Sequence, residues 1–286
     1  MWSLEKHLIC ALMKYPSDFG LHFLKHNKVS PTVTSETVKY GAHRLQRYDV
    51  HTIKDGEDLP TLFYIHGGAY ILMDKKHYNY IVKTIAESGF RVVNINYRML
   101  PKYNLSDIAE DCESAIAHAI ENIPGINLNK LYIMGDSAGG HLSALIAAKA
   151  NSRAYKLDIK FRAAVIIYGL FDMMDMVNGK ASLFKFLTKY FRKEIGPNYI
   201  EYMNQFSPSR YFNSDFPPVF LASGKVDPLN PATMTFIDVL DKHKMPHIDI
   251  IYGLDRKDGQ HGFFNLTFLK TSREVLKESI NFLKEH

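Results

Sequence analysis

The stretch YIMGDSAGGHLSAL, residues 132–145, changes character in its middle. Up to Gly135 it completes an apolar run of strand length, KLYIMGD (130–136); after Ser137, Ala138, Leu142, Leu145 and Ile146 recur at helical spacing. Gly135, Ser137 and Gly139 form a G-x-S-x-G pattern at the junction. A serine on a sharp strand-to-helix turn has a strained backbone and an exposed hydroxyl, and the flanking glycines admit close neighbours. The helix amino terminus aims free N–H groups at the same oxygen and stabilises negative charge developing there. The pattern alone is weak, but its setting makes Ser137 a candidate nucleophile.

The same strand-then-helix rhythm runs through most of the chain. TLFYIHG (61–67), FRVVNINYR (90–98), AAVIIYG (163–169), PVFLASG (218–224) and HIDIIYG (247–253) read as buried strands alongside 130–136. Residues 106–121 place Ile108, Cys112, Ala115, Ile116, Ala119 and Ile120 on one helical face. Helices are also expected over 138–150, 231–243 and 272–284, the last opened by a Thr271–Glu274 capping box. Alternating strands and helices imply crossover units and a mostly parallel sheet. Residues 1–45 and about 171–212 fall outside this rhythm. The second is rich in Met and aromatic residues and reads as a helical cap over the carboxyl ends of the strands, where ligands bind in such sheets.

Bulk properties narrow the function classes. A chain of 286 residues with 46% apolar and 23% charged residues can bury its own core. The net charge of +5 is dispersed, so no nucleic-acid footprint appears. Cys10 and Cys112 have neither disulfide-framework nor metal-ligand spacing. The apolar run Leu8–Met13 follows Glu5 and Lys6 and is too short for a secretory signal or a membrane span, which points to the cytoplasm without stable membrane insertion. The sequons at Asn104 and Asn265 are read as chance. No metal or cofactor is implied, and a homodimer remains open.

A serine attacking a carbonyl needs preorganised donors for the oxyanion. The segment YIHGGAYIL (64–72) follows a strand and offers them as backbone N–H groups at Gly67 and Gly68, with Ala138 adding a third. His66 then reads as a brace for that loop. The base is better supplied by His261, after the last strand, and the orienting acid by Asp227, after the strand ending at Gly224. Their order matches the Ser, acid, His order of α/β hydrolases, and all three stand at carboxyl ends of strands. His243 and His247 suit surface or core roles, Asp255 and Asp258 read as solvated loop charges, and Asp136 reads as a brace of the turn.

The segments HGGA (66–69), NYRMLP (96–101) with EDC (110–112), GDSAGG (135–140), DPL (227–229) and HGF (261–263) together resemble the hormone-sensitive-lipase-like family of α/β-hydrolase carboxylesterases. Their order and spacing cover about residues 60–285. The resemblance implies an α/β-hydrolase fold with a mostly parallel central sheet, flanking helices and a helical cap. It also implies a Ser137–Asp227–His261 triad with Gly67, Gly68 and Ala138 as oxyanion donors. The expected organisation is an N-terminal cap segment (1–45) and a catalytic domain (46–286) carrying the 171–212 insertion. The chain departs from the family pattern at Ala69, where a third glycine is usual, at NPA (230–232), where an acidic pair is usual, and in the long loop LDRKDGQ (254–260).

The expected activity is hydrolysis of short- to medium-chain carboxylic esters through an acyl-enzyme. Amide or formamide hydrolysis and sugar deacetylation are alternatives on the same residues, and a ligand-binding relative without catalysis is a third. Aromatics in 183–191 and 199–206, with Trp2, Phe19 and Phe23, fit an apolar acyl pocket and fit packing within the cap equally well, so they do not set the acyl-chain length.

Overall fold

The computed structural model describes residues 32–54, 56, 58–152, 158–252 and 259–286. The strands are β1 (Val33–Lys39), β2 (Arg47–Ile53), β3 (Thr61–Ile65), β4 (Arg91–Ile95), β5 (Leu131–Asp136), β6 (Ala163–Ile167), β7 (Val219–Gly224) and β8 (His247–Tyr252). They form one sheet in the order β1-β2-β4-β3-β5-β6-β7-β8. From β4 to β8 all neighbours are parallel, while β1, β2 and β4 pair antiparallel. The division follows composition. The continuous apolar runs of β3 to β7 are buried on both faces, whereas the polar β1 is largely exposed at one edge.

Part of the expected cap segment 1–45 therefore belongs to the sheet. Its Thr/Val-containing residues 33–39 form an exposed edge strand and pair along their whole length with β2. Trp2, Cys10, Phe19, Phe23 and the apolar run 8–13 lie outside the described residues.

The helices follow in chain order. They are α1 (Asn79–Glu87), α2 (Leu105–Asn122), α3 (Ala138–Asn151), α4 (Met173–Asn178), α5 (Ser182–Ile195), α6 (Tyr199–Asn204), α7 (Asn230–Lys242) and α8 (Lys270–Glu285). Asn104 opens α2 with a capping box to Asp107, a use of that asparagine that the sequon concealed. The Thr271–Glu274 box expected for α8 does not form: the helix starts earlier, Leu269 occupies the cap position, and Thr271 is buried in the first turn.

Strand order positions the site. From β3 the chain winds to β4 on one side, then returns to β5 on the other, so the crevice between the ends of β3 and β5 is a topological switch point. The 171–212 excursion, between β6 and β7, forms α4, α5 and α6, and α5 buries Phe184, Leu187, Tyr190 and Phe191. No helix among the described residues is long and apolar enough to cross a membrane.

Candidate active site

Ser137 stands between β5 and α3 with φ 52° and ψ −121°, a backbone conformation that non-glycine residues rarely adopt. Its N–H is fixed to the carbonyl of Ile167 at 2.9 Å. The turn is tight because a Cβ at Gly139 would collide with the backbone carbonyl of Ile65, and one at Gly135 with that of Gly139. Larger residues at either place would push α3 away from the sheet. Nearly all of α3 is buried, so the helix cannot shift to compensate.

The structure brings Ser137, His261 and Asp227 together from three loops. Ser137 Oγ lies 2.9 Å from His261 Nε2, and His261 Nδ1 lies 3.0 Å from both carboxylate oxygens of Asp227. A carboxylate only accepts, so Nδ1 carries the hydrogen and Nε2 presents its lone pair to the serine hydroxyl. That tautomer is competent as a base. The Asp227 side chain is fully buried, and its Oδ1 accepts the Leu229 N–H at 2.7 Å, which locks its rotamer. Tyr168 packs against the His261 ring with centroids 4.8 Å apart. Asp255 and Asp258 lie outside the described residues.

The loop after β3 departs from expectation at one residue. Gly67 does not offer its N–H to the crevice; it donates to Asp136 Oδ1 and to the Tyr78 hydroxyl, each at 3.1 Å. A buried carboxylate beside the serine captures the nearest donor. By contrast, the N–H groups of Gly68, Ala69 and Ala138 have no acceptor among the described residues. Ala138 is the first residue of α3, where N–H groups lack intrahelical partners. Ala69 and Ala138 line the same cavity as Ser137.

Asp136 and His66 are both braces. Asp136 accepts from Tyr64, Tyr78, Gly67 and Asn265 at 3.1 to 3.2 Å. Burial pushes its carboxyl above the usual range, against the pull of those four donors. His66 donates Nδ1–H to the Gly67 carbonyl at 2.7 Å and stacks on Tyr97 at 4.4 Å; burial pushes its imidazole down to about 4. Tyr97 in turn donates to the His66 carbonyl, and neighbouring Arg98 forks onto Asp111, which ties NYRMLP to α2. His243 and His247 are remote from Ser137, at the end of α7 and the start of β8.

Over the serine lies a cavity of about 440 Å³, a volume that includes open solvent at its mouth. Apart from Ser137, His261 and Tyr70, its walls are apolar, with Leu170, Met176, Leu183, Phe184, Leu187 and Leu229 prominent. The cap supplies four of those six.

Residues 49–236 match the family model described as BD-FAE. The chain belongs to the BD-FAE family. The resemblance to hormone-sensitive-lipase-like α/β hydrolases drawn from the motifs is thereby borne out. It is similar to the esterase LipQ of Mycobacterium tuberculosis, at 30% identity over 63% of this chain and 45% of LipQ. It is also similar to the kynurenine formamidase of Salmo salar, at 25% identity over 49% of this chain and 47% of that protein. The chain spans about half the length of the curated relatives it matches. Among solved structures, an inhibited esterase B from Lactobacillus rhamnosis superposes with a TM-score of 0.86, covering 99% of this chain and 95% of that one at 19% identity. At that identity the likeness establishes a shared fold, and it extends over nearly the whole BD-FAE chain described above.

Sequence reasoning missed Tyr70, Tyr78, His141 and Asn265. Each acts through a contact between segments distant in sequence, which no local pattern marks; the sequon at Asn265 gives no hint of its bond to Asp136.

Proposed function

We propose that the chain hydrolyses short- to medium-chain carboxylic esters through an acyl-enzyme on Ser137. The observation that carries this reading is the hydrogen-bonded chain Ser137–His261–Asp227 at the floor of an apolar cavity. Ser137 Oγ attacks the carbonyl carbon as its proton passes to His261 Nε2. Asp227 stabilises the imidazolium. The oxyanion takes hydrogen bonds from the unpartnered N–H groups of Gly68, Ala69 and Ala138. Collapse expels the alcohol, which leaves with the proton from His261. Water then repeats the sequence and releases the acid.

Formamide hydrolysis is a second reading, favoured by the similarity to a formamidase. The cavity argues for esters, since its described lining offers no fixed cation for an amino-acid carboxylate and few polar groups for a sugar. Comparing p-nitrophenyl butyrate, formyl-kynurenine and acetylated sugars ranks the classes. Ser137→Ala is expected to abolish p-nitrophenyl acetate and butyrate hydrolysis and fluorophosphonate labelling while circular dichroism stays unchanged. A variant that still turns over these esters sinks the proposal.

A further inference from the structure

Ala69 and Tyr70 are consecutive non-glycine residues with φ of 54° and 63°, both in the left-handed region. Such a backbone persists only where its surroundings hold it. Backbone bonds close the turn: Ile71 and Leu72 donate to Gly68, and Leu100 donates to Tyr70. None of these bonds ties the loop to the serine helix. That tie comes from a side chain.

His141 is buried on α3, one turn beyond Ser137, and its own N–H donates to the Ser137 carbonyl at 2.9 Å. Its Nε2 lies 2.7 Å from the carbonyl of Phe206 in the cap, and its Nδ1 lies 3.0 Å from the Tyr70 hydroxyl. A carbonyl cannot donate, so Nε2 bears the hydrogen. Burial keeps the imidazole neutral, its pKa pushed down to about 4, so Nδ1 is a lone pair that accepts from Tyr70. One imidazole thus joins three parts of the site: the serine helix, the loop after β3 and the cap.

We infer that the Tyr70–His141 hydrogen bond is a positioning device, which sets the Ala69 N–H at oxyanion distance from Ser137. The inference rests on the ester-hydrolase reading above and adds two residues that never touch the reacting atoms. A device of this kind acts on the transition state more than on substrate binding, because the ground-state carbonyl gains little from the donor.

The test uses Tyr70→Phe, which removes one hydroxyl and keeps the ring in the cavity wall, and His141→Gln, whose amide can still donate to Phe206. With p-nitrophenyl butyrate, each variant is expected to lose roughly 10- to 100-fold in kcat with KM within about twofold, less than the ~100- to 1,000-fold of losing an oxyanion donor outright. The double variant is expected to lose no more than Tyr70→Phe alone, because once the hydroxyl is gone residue 141 has nothing to accept from position 70. Affinity for a trifluoromethyl ketone, whose adduct carries an oxyanion, is expected to fall in step with kcat/KM. Tyr70→Phe with unchanged kcat, a loss carried by KM, or additive losses each overturn the inference while leaving the ester-hydrolase reading intact. A wild-type chain inert to every ester and to the phosphonate probe overturns both. Should His141→Gln fail to fold, Tyr70→Phe and the ketone series decide alone.

Discussion

Gly67 gives its N–H to the buried carboxylate of Asp136, 3.1 Å away, across the gap between the ends of β3 and β5. The first glycine of HGGA therefore holds the loop, and the proposed donor set takes in Ala69 in its place. A Cβ at Gly67 would stand 2.6 Å from Asp136 Oδ2 and 2.7 Å from the Asp136 carbonyl oxygen. Since Asp136 is clamped by four donors, the loop has to yield. Gly67→Ala is expected to destabilise the fold by about 1–3 kcal/mol in urea titration, as overpacking does. It should also lower kcat by more than tenfold. Wild-type turnover in a folded Gly67→Ala chain would contradict the brace.

Asp227 faces both the imidazole and the Leu229 N–H, so its removal has two separable effects. Asp227→Ala leaves His261 without its orienting acceptor and the imidazolium without a counter-charge. The expected loss is roughly 10³- to 10⁴-fold in kcat with KM little changed, by analogy with serine proteases lacking the triad acid. The orphaned Leu229 N–H adds about 1–2 kcal/mol of destabilisation. Steady-state kinetics and urea titration on the same preparation separate the two. A loss under tenfold would remove Asp227 from the proposed mechanism.

The parallel sheet and the proposed Ser137–Asp227–His261 triad are legible in the sequence because each is written locally. Apolar runs end in glycine, and the three residues of the proposed triad follow such runs at the same sheet edge. The edge strand β1 was hidden by its polar face, since Thr34, Ser35 and Glu36 are exposed and no core reads through them. The proposed donor set differs from the expected one at Gly67, because backbone direction in a loop depends on its partners. The choice between Gly67 and Ala69 is made by Asp136, Tyr78 and Asn265, the last of these 129 residues from Asp136 along the chain. His141 escaped notice for the same reason: a buried histidine on an apolar helix gives no signal until Tyr70 and Phe206 are placed beside it.

The departure at Ala69 has a defined consequence. Its φ of 54° is costly for alanine by about 1–2 kcal/mol, while glycine would lose about 0.5–1 kcal/mol through greater freedom in the unfolded chain. Ala69→Gly is therefore expected to leave stability within about 1 kcal/mol of the parent. Ala69 lines the cavity with Ser137, and loss of its methyl group is expected to widen the site near the acyl carbon. Branched acyl esters such as p-nitrophenyl pivalate are expected to gain roughly tenfold in kcat/KM relative to acetate, the scale set by one methylene. An unchanged ratio would mean that the methyl group does not limit the acyl group.

Phe184 limits the cavity on the cap side. It is buried, and it packs so closely on Gly179 that a Cβ there would collide with its ring. The ring therefore has one place to sit, and it fills part of the apolar cavity where a longer acyl chain would run. Phe184→Ala is expected to raise the octanoate-to-butyrate ratio of kcat/KM at least tenfold, since several methylenes gain a place to bind. It should also destabilise the fold by about 3 kcal/mol. Chain-length profiles with p-nitrophenyl esters from acetate to decanoate measure this, and a profile parallel to wild type would place the acyl chain elsewhere.

Three buried histidines set how stability responds to acid. Burial pushes His51, His66 and His141 down to about 4 in the folded chain, against about 6.5 when exposed. Between those values the unfolded chain binds protons that the folded chain refuses. The histidines' contribution to stability is therefore complete above about pH 6.5 and is lost as pH falls toward 4. Each histidine contributes up to roughly 1.4 kcal/mol per pH unit within that window. Asp136 works in the opposite sense, because its raised pKa lets the folded chain keep a proton that the unfolded chain has released. Urea titrations at pH 7, 6 and 5 should show falling stability. His51, which bonds Ser35 on the edge strands, allows a clean control away from the serine site. His51→Gln is expected to flatten the slope by up to about a third, the share of one titrating group in three. An unaltered slope would assign the acid sensitivity to other groups.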